Sequence, residues 1–135
     1  VLKSTTEENV NADFEKHSKR GKKSKRKGSS RELEWVHYLK KRGITSARRT
    51  SQFNGKTGGL SDVVTDVELP RIHHEVKGGQ QLNIHEAVAQ AIRDAKALGL
   101  VPVVAHRKNR TDWVVTMHAE DWLKFALAFE EVGVR

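Results

Sequence analysis

No cysteine occurs in the 135 residues. The chain therefore has no disulfide framework, no thiolate nucleophile and no cysteine-ligated zinc or iron–sulfur centre. It also lacks any apolar run near the ~18 residues of a membrane span, and its first residues carry no hydrophobic signal segment. A cytoplasmic protein that does not engage a membrane is the expectation. There is no internal repeat, and 15.2 kDa leaves room for one small folded domain with a genuine core.

Acidic residues are in short supply, 17 against 25 lysines and arginines, which gives a formal charge of +8. A polyanion is the first partner to consider. The excess is concentrated in residues 1–27, where 9 basic and 4 acidic residues contribute +5. Within that piece KHSKRGKKSKRK (16–27) cannot build a core. Residues 1–27 read as a flexible basic arm, with residues 28–135 as the folded domain. The arm is either a solvated solubilising tail or a DNA-binding segment in which Lys22, Lys23, Lys25, Arg26 and Lys27 lie along backbone phosphates. The second reading is favoured because clustered cations release condensed counterions there.

From Gly28 onward the pattern is that of folded elements. Ser29 with Glu32 forms a capping-box pattern, Leu33, Val36 and Leu39 follow at helical spacing, and Gly43 marks a stop, so a helix is predicted over 30–42. A short strand over 44–51, a loop over 52–59 and two extended segments, 62–69 and 71–77, come next, the last two forming a hairpin or meander around Pro70. Asn83 and Glu86 open a second helix with Ile84, Val88, Ala91, Ile92, Ala95 and Leu98 as its apolar stripe, closed by Gly99. LVPVVAH (100–106) reads as a buried strand and DWVVTM (112–117) as another. A last helix over 119–130 is expected to bury Trp122, Phe125, Ala126 and Phe129. The order α-β-β-β-α-β-β-α describes an α/β fold, a mixed β-sheet flanked by helices.

Three residues stand out against this frame. Asp62 opens one strand, Glu75 lies inside the next, and Lys77 shares Glu75's face because alternate strand residues point the same way. Counted from the turn at Pro70, Asp62 and Glu75 reach the same end of the hairpin. Two carboxylates there suit a hard cation such as Mg²⁺, and a neighbouring ammonium suits phosphodiester hydrolysis. Glu32 lies on the helix face of Val36 and Leu39 and should point inward. Each residue also has a plainer use: Glu32 in the capping box, Glu75 and Lys77 as a surface ion pair, Asp62 as a loop end.

These residues and their order, KGSSRE (27–32), RRTS (48–51), SDVV (61–64), EVK (75–77) and NRTDW (109–113), resemble the archaeal-type Holliday junction resolvases. That family belongs to the PD-(D/E)xK, or restriction-endonuclease-like, nucleases. The resemblance covers about residues 27–117. It implies a restriction-endonuclease-like fold in which Glu32, Asp62 and Glu75 surround the metal, the Val76 carbonyl is a further ligand, and Lys77 is the catalytic lysine. It further implies that Ser51 and Arg49 contact phosphate, with Arg48 on the same DNA-binding segment. It also gives Gln90 an accessory place facing the site, where an ordinary polar helix position is an equal alternative. Ser61 stands where the superfamily name has proline.

The implied activity is that of a Mg²⁺-dependent DNA endonuclease, with Mn²⁺ as a substitute, cutting branched DNA as a two-fold homodimer. The alternatives are a nuclease of the same fold nicking flaps, ends or duplex, and a non-catalytic DNA-binding module. A small nuclease of this kind would suit a phage or mobile element. His73 and His74, being consecutive in a strand, face opposite ways and cannot share one ion; the histidines read mostly as polar-surface or DNA-facing residues.

Overall fold

The computed structural model describes residues 28, 30–50 and 61–133. The basic arm, Ser29 of the capping box, Ser51 and the 52–59 loop lie outside the described residues. Residues Arg31–Arg135 form a compact unit of their own. Everything that follows concerns that unit.

That unit opens with helix α1 (residues 31–41) and continues through β1 (Arg48–Arg49), β2 (Val63–Val64), β3 (Ile72–Gly78), α2 (Ile84–Leu98), β4 (Val101–Arg107), β5 (Val114–Met117) and α3 (Ala119–Val132). The strands form one five-stranded sheet in the order β1-β2-β3-β4-β5. Among the described strands only β3 and β4 run parallel. A parallel pair needs a long crossover, and α2 provides it. The element order and the mixed sheet are those read from the sequence. No described helix is long and apolar enough to cross a membrane.

Two apolar clusters lie on the opposite faces of the sheet. Trp35, Val36 and Leu39 of α1 pack with Val63, Val76 and Ala105. Ala87 and Ala91 of α2 pack with Val104 on the other side. Neighbouring Val104 and Ala105 are both fully buried, so the middle of β4 is covered on both faces, as its continuous apolar run requires. Small side chains at Ala87, Ala91 and Ala95, all buried, let α2 come close to the sheet. The helix is capped at both ends: the Asn83 side chain accepts from the Glu86 amide, and Gly99 adopts φ 65°, a left-handed turn that glycine makes without steric cost.

Several expectations need correction. The strands before and after the loop shrink to two residues each: before it, 44–47 form a turn in which the Ala47 amide bonds back to the Ile44 carbonyl, and after it, 66–68 form a turn in which the Leu69 amide bonds back to the Thr65 carbonyl. In α1 the buried apolar residue one turn before Leu39 is Trp35, while Leu33 is exposed; in α2 Leu98 is exposed and Ala87 takes its place in the stripe. The largest departure is α3, which buries none of its residues; Trp122, Phe125 and Phe129 are 47–58% exposed. The two sheet faces already have α1 and α2. A cavity of about 430 Å³ separates Phe125 and Ala128 of α3 from Leu69, Ile72 and Val101 at the starts of β3 and β4.

Candidate active site

Antiparallel register places Val63 opposite His74, which brings Asp62 beside Glu75. The Asp62 amide donates to the His74 carbonyl at 2.9 Å, and the Thr50 amide donates to the Asp62 carbonyl at 3.2 Å, so Asp62 is tied to strands on both sides. Its carboxylate accepts the Val76 amide N–H at 2.9 Å. An extended residue sends its N–H and C=O to the same side; the Val76 carbonyl is therefore directed to the edge where Asp62 lies.

Glu75 is 3% exposed, and the Lys77 Nζ stands 3.3 Å from its Oε1. Burial, then the charges of Glu75 and Glu32, push the Asp62 carboxyl up to about 7 against the Val76 N–H and Lys77. For Glu75 burial also acts upward, but the neighbouring His73 ring and Lys77 ammonium outweigh it and hold the carboxyl below its ordinary value. Asp62 and Glu75 thus share one pole in which ionisation of both is unfavourable, and a divalent cation relieves that repulsion. Carboxylate oxygens of this kind, one buried and one half-buried, fit a hard cation.

Glu32 points inward from α1, with its side chain 12% exposed and its Oε2 accepting from Arg49 Nε at 2.8 Å. Arg49 accordingly holds a site carboxylate. Arg48 makes a two-pronged contact with Asp66, at 2.7 and 3.1 Å, on the exposed surface. The start of α1 is fixed by Arg31, whose guanidinium donates to the Arg107 carbonyl at 3.0 Å and to Asn109 Oδ1 at 2.9 Å. It passes directly over Gly78, where a Cβ would lie 2.7 Å from Arg31 Cζ. Gly78 is the residue after Lys77, so the missing side chain lets the helix that carries Glu32 close on the strand that carries the lysine. Gln90 is half-buried on α2.

His37, His85 and His118 are exposed, as expected of surface histidines, but the pair in β3 is not. His73 and His74 are 0% and 2% exposed, one on each face of a strand with neighbours on both sides. His74 lies under α1, where Trp35 Nε1 donates to its Nδ1 at 3.1 Å and its Nε2 meets Thr65 Oγ1 at 2.9 Å. Thr65 in turn donates to the Leu69 carbonyl at 3.0 Å. This chain calls for a neutral ring with its proton on Nε2. Burial, followed by the adjacent His73, pushes His74 down to about 4. On the other face His73 Nδ1 is 2.7 Å from the buried Ser61 hydroxyl. Sequence reasoning missed these roles, although a central strand covered on both faces was a signal that both histidines would be interior.

A mixed sheet between two helices, with Asp62, Glu75 and Lys77 gathered at one end of its inner strands, defines the PD-(D/E)xK class of nucleases. The family described as phage putative PDDEXK endonuclease matches residues 23–133, and the chain belongs to it. No curated protein and no solved structure matches significantly. The superfamily expected from the motifs is thereby shown, and the family is a phage endonuclease one instead of the archaeal junction resolvases. The match also takes in α3, which the motif resemblance left outside.

Proposed function

We propose that the protein is a Mg²⁺-dependent DNA endonuclease that cuts branched DNA, four-way junctions foremost, as a two-fold dimer. The observation that carries the chemistry is the half-buried Asp62 beside buried Glu75, with Lys77 at 3.3 Å from Glu75. Asp62, Glu75 and the Val76 carbonyl hold the cation, Mg²⁺ or Mn²⁺, and Glu32 completes the negative pole from α1. A cation held there would supply charge neutralisation at the scissile phosphate and an acidified water. Lys77 orients that water or donates to a phosphate oxygen as negative charge grows in the transition state. The basic arm, together with Arg48, Ser51 and Arg49 beside Glu32, supplies phosphate contacts that hold the DNA without reading bases.

The substrate and the dimer rest on separate support. Symmetric cuts across a junction require two sites related by a two-fold axis. The uncovered apolar residues of α3 and of the edge strand β5, including Trp122, Phe129, Val114 and Val115, offer a surface that a second copy can bury. The test is cleavage of a labelled four-way junction, a flap and a linear duplex of equal length, with and without Mg²⁺, alongside mass in solution. Paired symmetric nicks on the junction by a dimer are expected. Equal cutting of junction and duplex, or a monomer, removes the junction assignment and leaves the nuclease chemistry intact, whereas no metal-dependent cleavage of any DNA removes both.

A further inference from the structure

The α2-facing side of β3 holds a second group of metal-binding atoms, of which the nuclease reading uses only those of Glu75. His73 and Glu75, two residues apart, share that face, and the close approach of α2 brings Asp94 to them. One ligand atom from each of the three lies within 4.8 Å of the others. His73 is fully buried, and its Nε2 makes no hydrogen bond although it is aimed at Glu75 Oε2. A buried nitrogen left without a partner is costly. We propose that His73, Glu75 and Asp94 form a second cation site, suited to a first-row transition-metal dication in preference to Mg²⁺.

The spacing of the His73–Glu75 pair supports this. Metal–nitrogen and metal–oxygen bonds of about 2.1 Å place adjacent donor atoms about 3.0–3.4 Å apart at angles of about 90–110°. His73 Nε2 and Glu75 Oε2 are 3.5 Å apart, close to that spacing and beyond the ~2.7–3.2 Å of a good hydrogen bond. The other ring nitrogen is already occupied. Nδ1 is 2.7 Å from the Ser61 hydroxyl; the tautomer that donates Nδ1–H to that hydroxyl, in exchange for the Nε2–H that faces Glu75 in the metal-free chain, leaves the lone pair on Nε2, the arrangement by which an outer hydrogen bond fixes a metal-ligating tautomer. Ser61 thereby gains a use at the position where the superfamily name has proline. The two oxygens of Glu75 divide the work: Oε1 faces Lys77 and Oε2 faces His73. An imidazole nitrogen favours transition metals over the all-oxygen preference of Mg²⁺. Asp94 is half-buried, which keeps the group accessible from the α2 side.

The site shares Glu75 with the proposed active site but draws on His73 and Asp94, which that reading leaves idle. The experiment titrates the full chain, without DNA, with Mn²⁺ and with Mg²⁺ by calorimetry, and records pulsed EPR of the Mn²⁺-bound protein. The expected result is an electron-spin coupling to a directly bound imidazole ¹⁴N in the wild type. His73→Gln should lose the coupling, and Asp94→Asn, a more accessible substitution, should bind Mn²⁺ more weakly by about tenfold or more. Absence of the coupling in the wild type, its survival in His73→Gln, or unchanged Mn²⁺ binding in Asp94→Asn overturns the proposal. Cleavage by Asp62→Asn, measured in parallel, separates the two readings: loss of cutting without the nitrogen signal leaves the active site standing alone, and the signal with undiminished cutting leaves only the second site.

Discussion

The Val76 amide donates to the Asp62 carboxylate at 2.9 Å, so the residue between Glu75 and Lys77 holds the acid that faces them. A backbone donor cannot be moved by a rotamer change, and it aims Asp62 at the strand that carries the other two groups. The cost of this arrangement is electrostatic, and it yields a measurable pH dependence.

Asp62 has its carboxyl raised to about 7 by burial and by Glu75 and Glu32, so between about pH 4 and 7 the folded chain binds a proton that the unfolded chain has released. Its contribution to stability is therefore lost as pH rises through that window. Asp62→Asn keeps an acceptor for Val76 and removes the charge. In the presence of EDTA the variant should be more stable than the wild type at pH 8, on the order of a few kcal/mol with a correspondingly higher melting temperature, and much closer to it at pH 5. Mg²⁺ should raise the melting temperature of the wild type only. A variant that melts below the wild type at pH 8 contradicts the buried repulsion.

Lys77 is assigned to the transition state. Lys77→Met should lower kcat on the order of 10²–10³-fold while DNA affinity stays within about threefold. Single-turnover cleavage and equilibrium binding, measured on the same DNA, distinguish this from a phosphate-holding lysine, whose loss would appear mainly in Kd.

His74 is a neutral core residue that accepts from Trp35 and meets Thr65. His74→Phe leaves the Trp35 N–H without its acceptor and Thr65 with only its bond to Leu69, and should cost about 2–4 kcal/mol at pH 7. Its folded value near 4 lies below the unfolded 6.5, so wild-type stability is present above pH 6.5 and is lost as pH falls toward 4. The penalty of the variant should accordingly shrink on acidification. Urea unfolding at pH 7 and pH 5 makes the comparison, and a penalty that grows at pH 5 would argue for a charged His74.

At Gly78 an added Cβ would sit 2.5 Å from Arg31 Nε. Arg31 is not free to swing aside without giving up its bonds to Arg107 and Asn109. Gly78→Ala should displace the start of α1 and with it Glu32, lowering cleavage about tenfold or more for a stability loss of about 1–2 kcal/mol. Combining it with Arg31→Ala should restore part of the cleavage if the clash is the cause; a double variant no better than the single one points elsewhere.

Removing residues 1–27 should weaken binding to all DNA forms alike and flatten the slope of log K against log salt by about 0.9 for each duplex phosphate that the arm neutralises. Cleavage at saturating protein should persist. An unchanged slope would make the arm a tail with no part in DNA binding.

The sequence by itself determined the element order, the caps of α2, the two-faced burial of β4, and the candidate set Glu32, Asp62, Glu75 and Lys77. These follow from local rules: period 3.6 or 2, capping side chains and fixed strand alternation act over a few residues. Inward placement of Glu32 was legible because Val36 and Leu39 share its face. The tertiary structure alone decided which partner each polar group met. Arg49 lies 17 residues from Glu32 and Trp35 lies 39 from His74, separations at which no periodicity specifies a contact. Burial of α3 failed as an expectation for the same reason: an apolar stripe states that a helix needs a partner, and whether the chain's own sheet still has a face to offer is settled only when α1 and α2 have taken their places. The His73–Glu75–Asp94 group was likewise invisible, since α2 must first settle on its alanines before an aspartate 19 residues along the chain from Glu75 can meet it.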